Sequence, residues 1–341
     1  MYQSITNLIK NSLCVSEKDN CVCVYDEHNY ATYKLVKKAF FRTGHKLKSF
    51  KTDYSGIGEP SESLTTLLLD DTHNVFIFIL EGNIWHTKAR KKAKYELRKR
   101  LVSILCSPSQ IDCNSGLVET SKLSRLACEL YEYLKNTREV NITTSMGTNI
   151  SAEIGQPFCE DGDYSQPSSG GDYPSGEIGF GPVEGTVNGT IVYDFKMKHI
   201  GLFATSFLEM KIRNDRVERV VGQKRELFSR LVADYGDIIN YVSEVSIGVN
   251  PLKIKDRCKD SIVEEKNLGT VHFGHGGNLS YGNRVGKHLD GVLTKPTIKL
   301  DNTILMQEGK LNTSLISEES SSWLKSLNKV HLLSGPYKSI N

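Results

Sequence analysis

The residues with the most chemical potential lie between Leu268 and Leu293, a stretch that reads LGTVHFGHGGNLSYGNRVGKHLDGVL and holds His272, His275, His288 and Asp290. His288 and Asp290 stand two apart in an apolar context. In a strand that spacing puts both side chains on one face, toward one ion or one substrate. Imidazole with carboxylate is the donor mix that suits zinc, manganese, cobalt or iron. The interspersed glycines let backbone approach closely, or adopt positive φ, where a Cβ would clash. The pattern is that of one half of a metal site.

Further carboxylates stand upstream. Residues 155–176 are rich in Gly, Ser, Pro and Asp with almost no aliphatic side chains, the composition of an active-site loop. This segment ends in Pro174-Ser175-Gly176-Glu177, and a second glutamate, Glu244, sits in the β-like run from Val242 to Pro251. Glu177, Glu244, His272, His288 and Asp290 together match what adjacent divalent ions need, a carboxylate able to bridge and end ligands that leave a position for water. The chemistry expected of such a site is hydrolysis of an amide or related bond. His275 and Asn278 are candidates for orienting substrate or water from behind the ligands; a solvent-facing loop histidine is the equal alternative for His275. Glu184, alone before a glycine, reads as a turn residue.

Residues 1–138 alternate helix and strand. Helices are expected at Tyr30 to Phe41, Ser63 to Leu69, Thr87 to Arg100 and Ser121 to Lys135, and strands at Cys21 to Tyr25, Lys46 to Phe50, Val75 to Leu80 and Leu101 to Cys106. The unbroken apolar run at Val75 predicts a strand buried on both faces. This is an α/β N-terminal domain with a mostly parallel sheet. Residues 139–341 predict a strand-rich α+β C-terminal metal-binding domain, with hairpins at Asn214-Asp215 and Asp301-Asn302, a helix over Arg225 to Tyr235, and a surface tail over roughly the last thirty residues. The basic run from Lys88 to Arg100 reads as the solvated face of an outer helix, and His86 at its start as a packing or capping residue.

A chain of 341 residues with 38% hydrophobic residues can build two real cores. Its net charge of +3 does not call for nucleic acid or an anionic membrane as partner, and no apolar run is long enough to span a bilayer. Without a secretory signal pattern at the N-terminus, the expected location is cytoplasmic. Eight cysteines, scattered through the chain, lack the density of a disulfide scaffold and read as inert.

Several segments resemble the thermophilic aminopeptidase family of metallopeptidases, which includes aminopeptidases T and S. They are Gly147-Thr-Asn-Ile, Pro174-Ser-Gly-Glu177, Ser243-Glu244 with Gly248 and Asn250-Pro251, Leu268-Gly-Thr-Val-His272, and His288-Leu-Asp290. The resemblance implies a metal-dependent hydrolase of an N-terminal peptide bond or small amide, usually homodimeric. It implies two divalent ions, zinc, cobalt or manganese, held by Glu177, Glu244, His272, His288 and Asp290, with Glu244 as the bridging ligand. Glu177 and Tyr281 are then the catalytic positions. The family's tyrosine falls where this chain has Leu279, so Tyr281 either fills that role by a loop shift or packs. The chain also resembles the 2,5-dihydroxypyridine dioxygenases, which use one ferrous ion held by two histidines and an aspartate. In them a histidine stands at the position of Glu244 and no glutamate at that of Glu177, which makes a mononuclear Fe(II) dioxygenase the alternative. A small-molecule binder that has lost catalysis is the third possibility.

Overall fold

The structure, a computed structural model, describes residues 3–331 other than 57, 83, 105, 112–113, 204–205, 253–262 and 283. The N-terminal part alternates α1 (Gln3–Asn7), β1 (Cys21–Tyr25), α2 (Tyr30–Arg42), β2 (Leu47–Lys51), α3 (Glu62–Leu69), β3 (Val75–Ile79), α4 (Lys88–Tyr95), β4 (Arg100–Ile104) and α5 (Thr120–Lys135). Strands then dominate: β5 (Glu139–Thr143), β6 (Asn149–Glu160), β7 (Gly170–Tyr173), β8 (Glu177–Pro182), β9 (Asn188–Tyr193), β10 (Lys196–Met197), β11 (Gly201–Leu202), β12 (Leu208–Arg213) and β13 (Arg216–Val221). After α6 (Arg225–Tyr235) come β14 (Val242–Gly248), β15 (Thr270–Asn278), β16 (Arg284–Thr294), β17 (Thr297–Leu300), β18 (Thr303–Gln307), β19 (Lys310–Leu311) and α7 (Glu318–His331).

The first sheet is parallel throughout, in the order β2-β1-β3-β4-β7. Alternation divides its side chains between two cores. Cys21, Cys23, Val75 and Ile77 pack on one face, Val22, Val24, Phe76 and Phe78 on the other. A strand covered on both sides has no place for a polar residue, which is why Val75–Ile79 is apolar without a break. The sheet's last strand, β7, comes from beyond residue 138, so the chain returns to the N-terminal layer after β6.

The second sheet has fourteen strands among the described residues, with the antiparallel path β11-β10-β16-β15-β14-β8-β6-β5-β17-β18-β19. One face of its centre is apolar. Ile178, Phe180, Val245, Ile247, Val271, Phe273, Leu289 and Leu293 share a core with Leu126 and Leu130 of α5 and Trp323 and Leu324 of α7. The fold class expected from the sequence is therefore the one observed. Among the described residues no helix is long and apolar enough to cross a membrane.

Three local expectations are corrected. The polar segment 155–176 is not one loop, since β6 runs on to Glu160 and β7 occupies Gly170–Tyr173. Its glycines serve close approach: a Cβ on Gly171 would lie 2.6 Å from Glu160 Oε2. The basic helix stops at Tyr95, because Arg98 turns to a φ of 56° and Arg100 already begins β4. The C-terminal tail contains α7, whose Trp323 and Leu324 are buried. Its serine-rich composition hid that apolar stripe, and residues 332–341 lie outside those described. Cys113 and Cys258 also lie outside; the remaining cysteines are free thiols, with Cys21, Cys23 and Cys106 buried.

Candidate metal centre

The site follows from strand register. Glu177 lies opposite Gly248, Glu244 opposite Gly274, Ser246 opposite His272, Gly274 opposite Asp290 and Gly276 opposite His288. Cross-strand partners share a face, so Glu177, Glu244, His272, His288 and Asp290 project together from the non-core face of β8, β14, β15 and β16. Gly274 makes room for them. A Cβ there would stand 2.5 Å from His288 Cε1 and 2.9 Å from Glu244 Cβ.

The side chains converge. His272 Nε2 is 3.7 Å from Glu244 Oε1 and 3.5 Å from Glu177 Oε2. His288 Nε2 is 3.8 Å from Glu244 Oε2 and 2.8 Å from Asp290 Oδ1. Glu244 thus turns one oxygen toward each imidazole. Ser246 Oγ donates to its Oε1 at 3.1 Å and Asn278 Nδ2 to its Oε2 at 3.3 Å, while Asn278 Oδ1 accepts from the Tyr281 amide at 3.0 Å. Asn278 accordingly orients Glu244.

His275 stands elsewhere. Three residues from His272 in a strand, it faces the opposite side, where its Nε2 meets the Tyr193 hydroxyl at 2.6 Å and its ring packs edge-on against Phe228. It is a core residue, neither solvent-facing nor aimed at the candidate ligands. Glu184 is exposed and pairs with Arg284 at 3.3 Å. Tyr281 lines the cavity with its ring stacked on Phe158, the centroids 3.8 Å apart.

Residues that sequence reasoning had not assigned complete the cluster. His86, from the turn before α4, lies with its ring centroid 4.5 Å from that of His288. Lys266 Nζ donates to Glu177 Oε1 at 2.6 Å and lies 3.1 Å from both Asp172 and Glu265. Donor atoms of His86, Glu244 and His288 fall within 4.8 Å of one another, as do those of Glu177, Glu265 and His272, and those of Glu244, His272 and Asp290. Because Glu244 and His272 recur, these groups overlap into one continuous cluster of candidate ligands. The buried Glu265 Oε2 and His272 Nδ1 have no hydrogen-bond partner among the described residues, as donors to an ion would require.

The electrostatics point the same way. Burial, reinforced by Glu265 and Glu244 against the pull of Lys266 and His272, pushes the Glu177 carboxyl up to about 7. Burial opposes charge on His272 and His288, but the surrounding carboxylates outweigh it and raise them to about 9 and about 10. Burial and the neighbouring His288 hold His86 well below its ordinary value, as a neutral imidazole.

The basic helix is also not what its charge suggested. Lys88, Lys91 and Lys92 are exposed, but Arg90 and Lys94 are buried and line the same cavity as the candidate ligands. Spacing of four residues on a helix could have indicated that they share a face, though not that this face turns inward.

Comparison with known proteins gives a fold and a family. The structure of 2,5-dihydroxypyridine dioxygenase from Pseudomonas putida KT2440 superposes with a TM-score of 0.76 at 17% identity, over 94% of this chain and 98% of that one. Wild-type AmpT from Thermus thermophilus gives 0.58 at 13% identity, over 91% of this chain and 98% of that one. Both resemblances seen in the sequence therefore recur in the fold. No curated protein sequence matches the chain. The family profile of 2,5-dihydroxypyridine 5,6-dioxygenase, NicX, matches residues 74–313, and by that match the chain belongs to the NicX family.

Proposed function

We propose that the protein is a metal-dependent hydrolase that cleaves an N-terminal peptide bond or related small amide. The observation that carries this reading is the Glu244 carboxylate, with one oxygen 3.7 Å from the His272 imidazole and the other 3.8 Å from that of His288. A carboxylate so placed spans two positions rather than closing one. Glu244, His272, His288 and Asp290 would hold divalent ions, with Glu177 and Glu265 flanking. Ions bound there would lower the pKa of a water and polarise the substrate carbonyl.

The chain's own groups manage the protons and the geometry. Lys266 occupies Glu177 Oε1 and leaves Oε2 open. With its carboxyl near 7, Glu177 accepts a proton from the attacking water at Oε2 and returns it to the departing amine. Ser246 and Asn278 fix Glu244, and the stacked Phe158 and Tyr281 rings wall the cavity.

A mononuclear Fe(II) dioxygenase is the second reading. It is favoured by the family match and by His86, which together with His288 and Asp290 supplies two imidazoles and a carboxylate. Metal analysis of the purified protein with parallel assays separates the two. About two zinc, manganese or cobalt ions per chain, with amino acids released from small peptides, supports the hydrolase. One Fe(II) with oxygen uptake on a dihydroxypyridine and no peptidase activity sinks it.

Metal affinity should also rise with pH. Ligation needs neutral imidazole, whereas His272 and His288 titrate at about 9 and about 10 in the metal-free protein. Each proton displaced steepens affinity by about tenfold per pH unit below those values. Zinc titrations between pH 6 and 8, with proton release read from buffers of different ionisation enthalpy, measure this. A flat affinity would remove both imidazoles from the site.

A further inference from the structure

Two cations are buried in the metal cavity with no carboxylate among the described residues in ion-pair contact with either. α4 is capped by Thr87, whose Oγ1 accepts from the Arg90 amide at 3.2 Å, and its buried face presents Arg90 and Lys94 one turn apart. Arg90 is 2% exposed and Lys94 9%. Arg90 Nη2 donates to the Trp85 carbonyl and Ser280 Oγ, and Lys94 Nζ to the Gly170 carbonyl at 2.8 Å. The Arg90 Nε–H is buried with no partner among the described residues.

Among the described residues neither cation is in ion-pair contact with a carboxylate. Glu160 acts on both, and Asp161 and Asp172 on Lys94, each only at longer range. Burial lowers Lys94 to about 8. Buried charge without a counter-charge is costly, and an anion entering from the cavity would relieve it.

We propose that Arg90 and Lys94 form a carboxylate subsite, and that the substrate is a small amide with a free carboxylate beyond its scissile bond. The inference rests on the hydrolase reading for the scissile bond, and on the cations alone for the carboxylate. Glu177 and Glu265 lie with the candidate ligands, and Arg90 and Lys94 bring positive charge to the same cavity from α4. Trp85, against which the Arg90 guanidinium lies 5.1 Å from the ring centroid, gives the subsite an apolar wall.

The test is calorimetric binding of leucylglycine and of its C-terminal amide to the metal-free protein, where no turnover intervenes. The free carboxylate is expected to bind at least tenfold tighter. Arg90→Met and Lys94→Met should each remove most of that preference and leave the amide's affinity unchanged. Equal binding of the two compounds by the wild-type protein overturns the proposal without any variant, as does a preference that survives both substitutions. Turnover on zinc-loaded protein is read separately. A retained tenfold preference with no cleavage leaves the subsite standing and rejects only the hydrolase reading.

Discussion

Glu244→Gln is expected to strip most of the metal affinity and nearly all of the turnover while leaving the fold intact. Glutamine keeps the volume and one oxygen, so Ser246 Oγ retains an acceptor. It loses the charge and the second oxygen, which in the native chain face the two imidazoles separately. Removing a group that merely orients a ligand costs about 10–100-fold in affinity or activity; losing the bridging donor itself should exceed about 100-fold in both. Asn278→Ala, which removes the donor to Glu244 Oε2, belongs in the smaller range. The melting temperature of metal-free Glu244→Gln should fall, because Glu244 supports the charge on the buried His272 and His288 imidazoles and its loss outweighs the relief of its repulsion of Glu177. Metal content after dialysis, measured beside thermal melts and peptidase assays, reads all three. Unchanged metal content and turnover would take Glu244 out of the site, and the two-ion hydrolase with it.

The strands were legible where one rule sufficed. Val75–Ile79 needed only its unbroken apolar run, α6 only its helical spacing, and the β12–β13 turn only Asn214-Asp215, both of which adopt positive φ. Alternation placed His288 and Asp290 on one face. Carried back to β15, the same rule separates His272 from His275, so the core position of His275 was legible too. The rest depended on contacts that sequence does not carry. His86, Arg90 and Lys94 enter the cavity because a basic helix of the N-terminal layer docks over the C-terminal sheet, and local pattern reads that helix as solvated. Glu265 and Lys266 sit in a single 3-10 turn with no periodicity to reveal which side is buried. Asp172 belongs to β7, a strand whose glycines and serine-rich approach look like loop.

Lys266→Met should destabilise the metal-free protein strongly, and divalent ions should recover part of the loss. The Lys266 ammonium is 2% exposed, 2.6 Å from Glu177 and 3.1 Å from both Asp172 and Glu265. Burial works against its charge, but these carboxylates outweigh burial and hold its pKa well above the ordinary value. Methionine matches its length and supplies no charge. Breaking one partner out of a buried ionic cluster costs about 3–5 kcal/mol, which a thermal melt resolves as a drop of several degrees. The loss should grow with pH. Glu177, at about 7 in the native state against 4.5 ordinarily, keeps a proton there that the unfolded chain has released, so stability falls as pH rises from 4.5 toward 7. Without Lys266 that carboxyl moves higher still, and the falling limb extends above neutrality. A divalent ion at the Glu177–Glu265–His272 position would replace the missing positive charge, so zinc should raise the variant's melting temperature by more than it raises the wild type's. If zinc stabilises both equally, those carboxylates are neutralised by Lys266 alone, and the ions belong only at the Glu244–His288–Asp290 end.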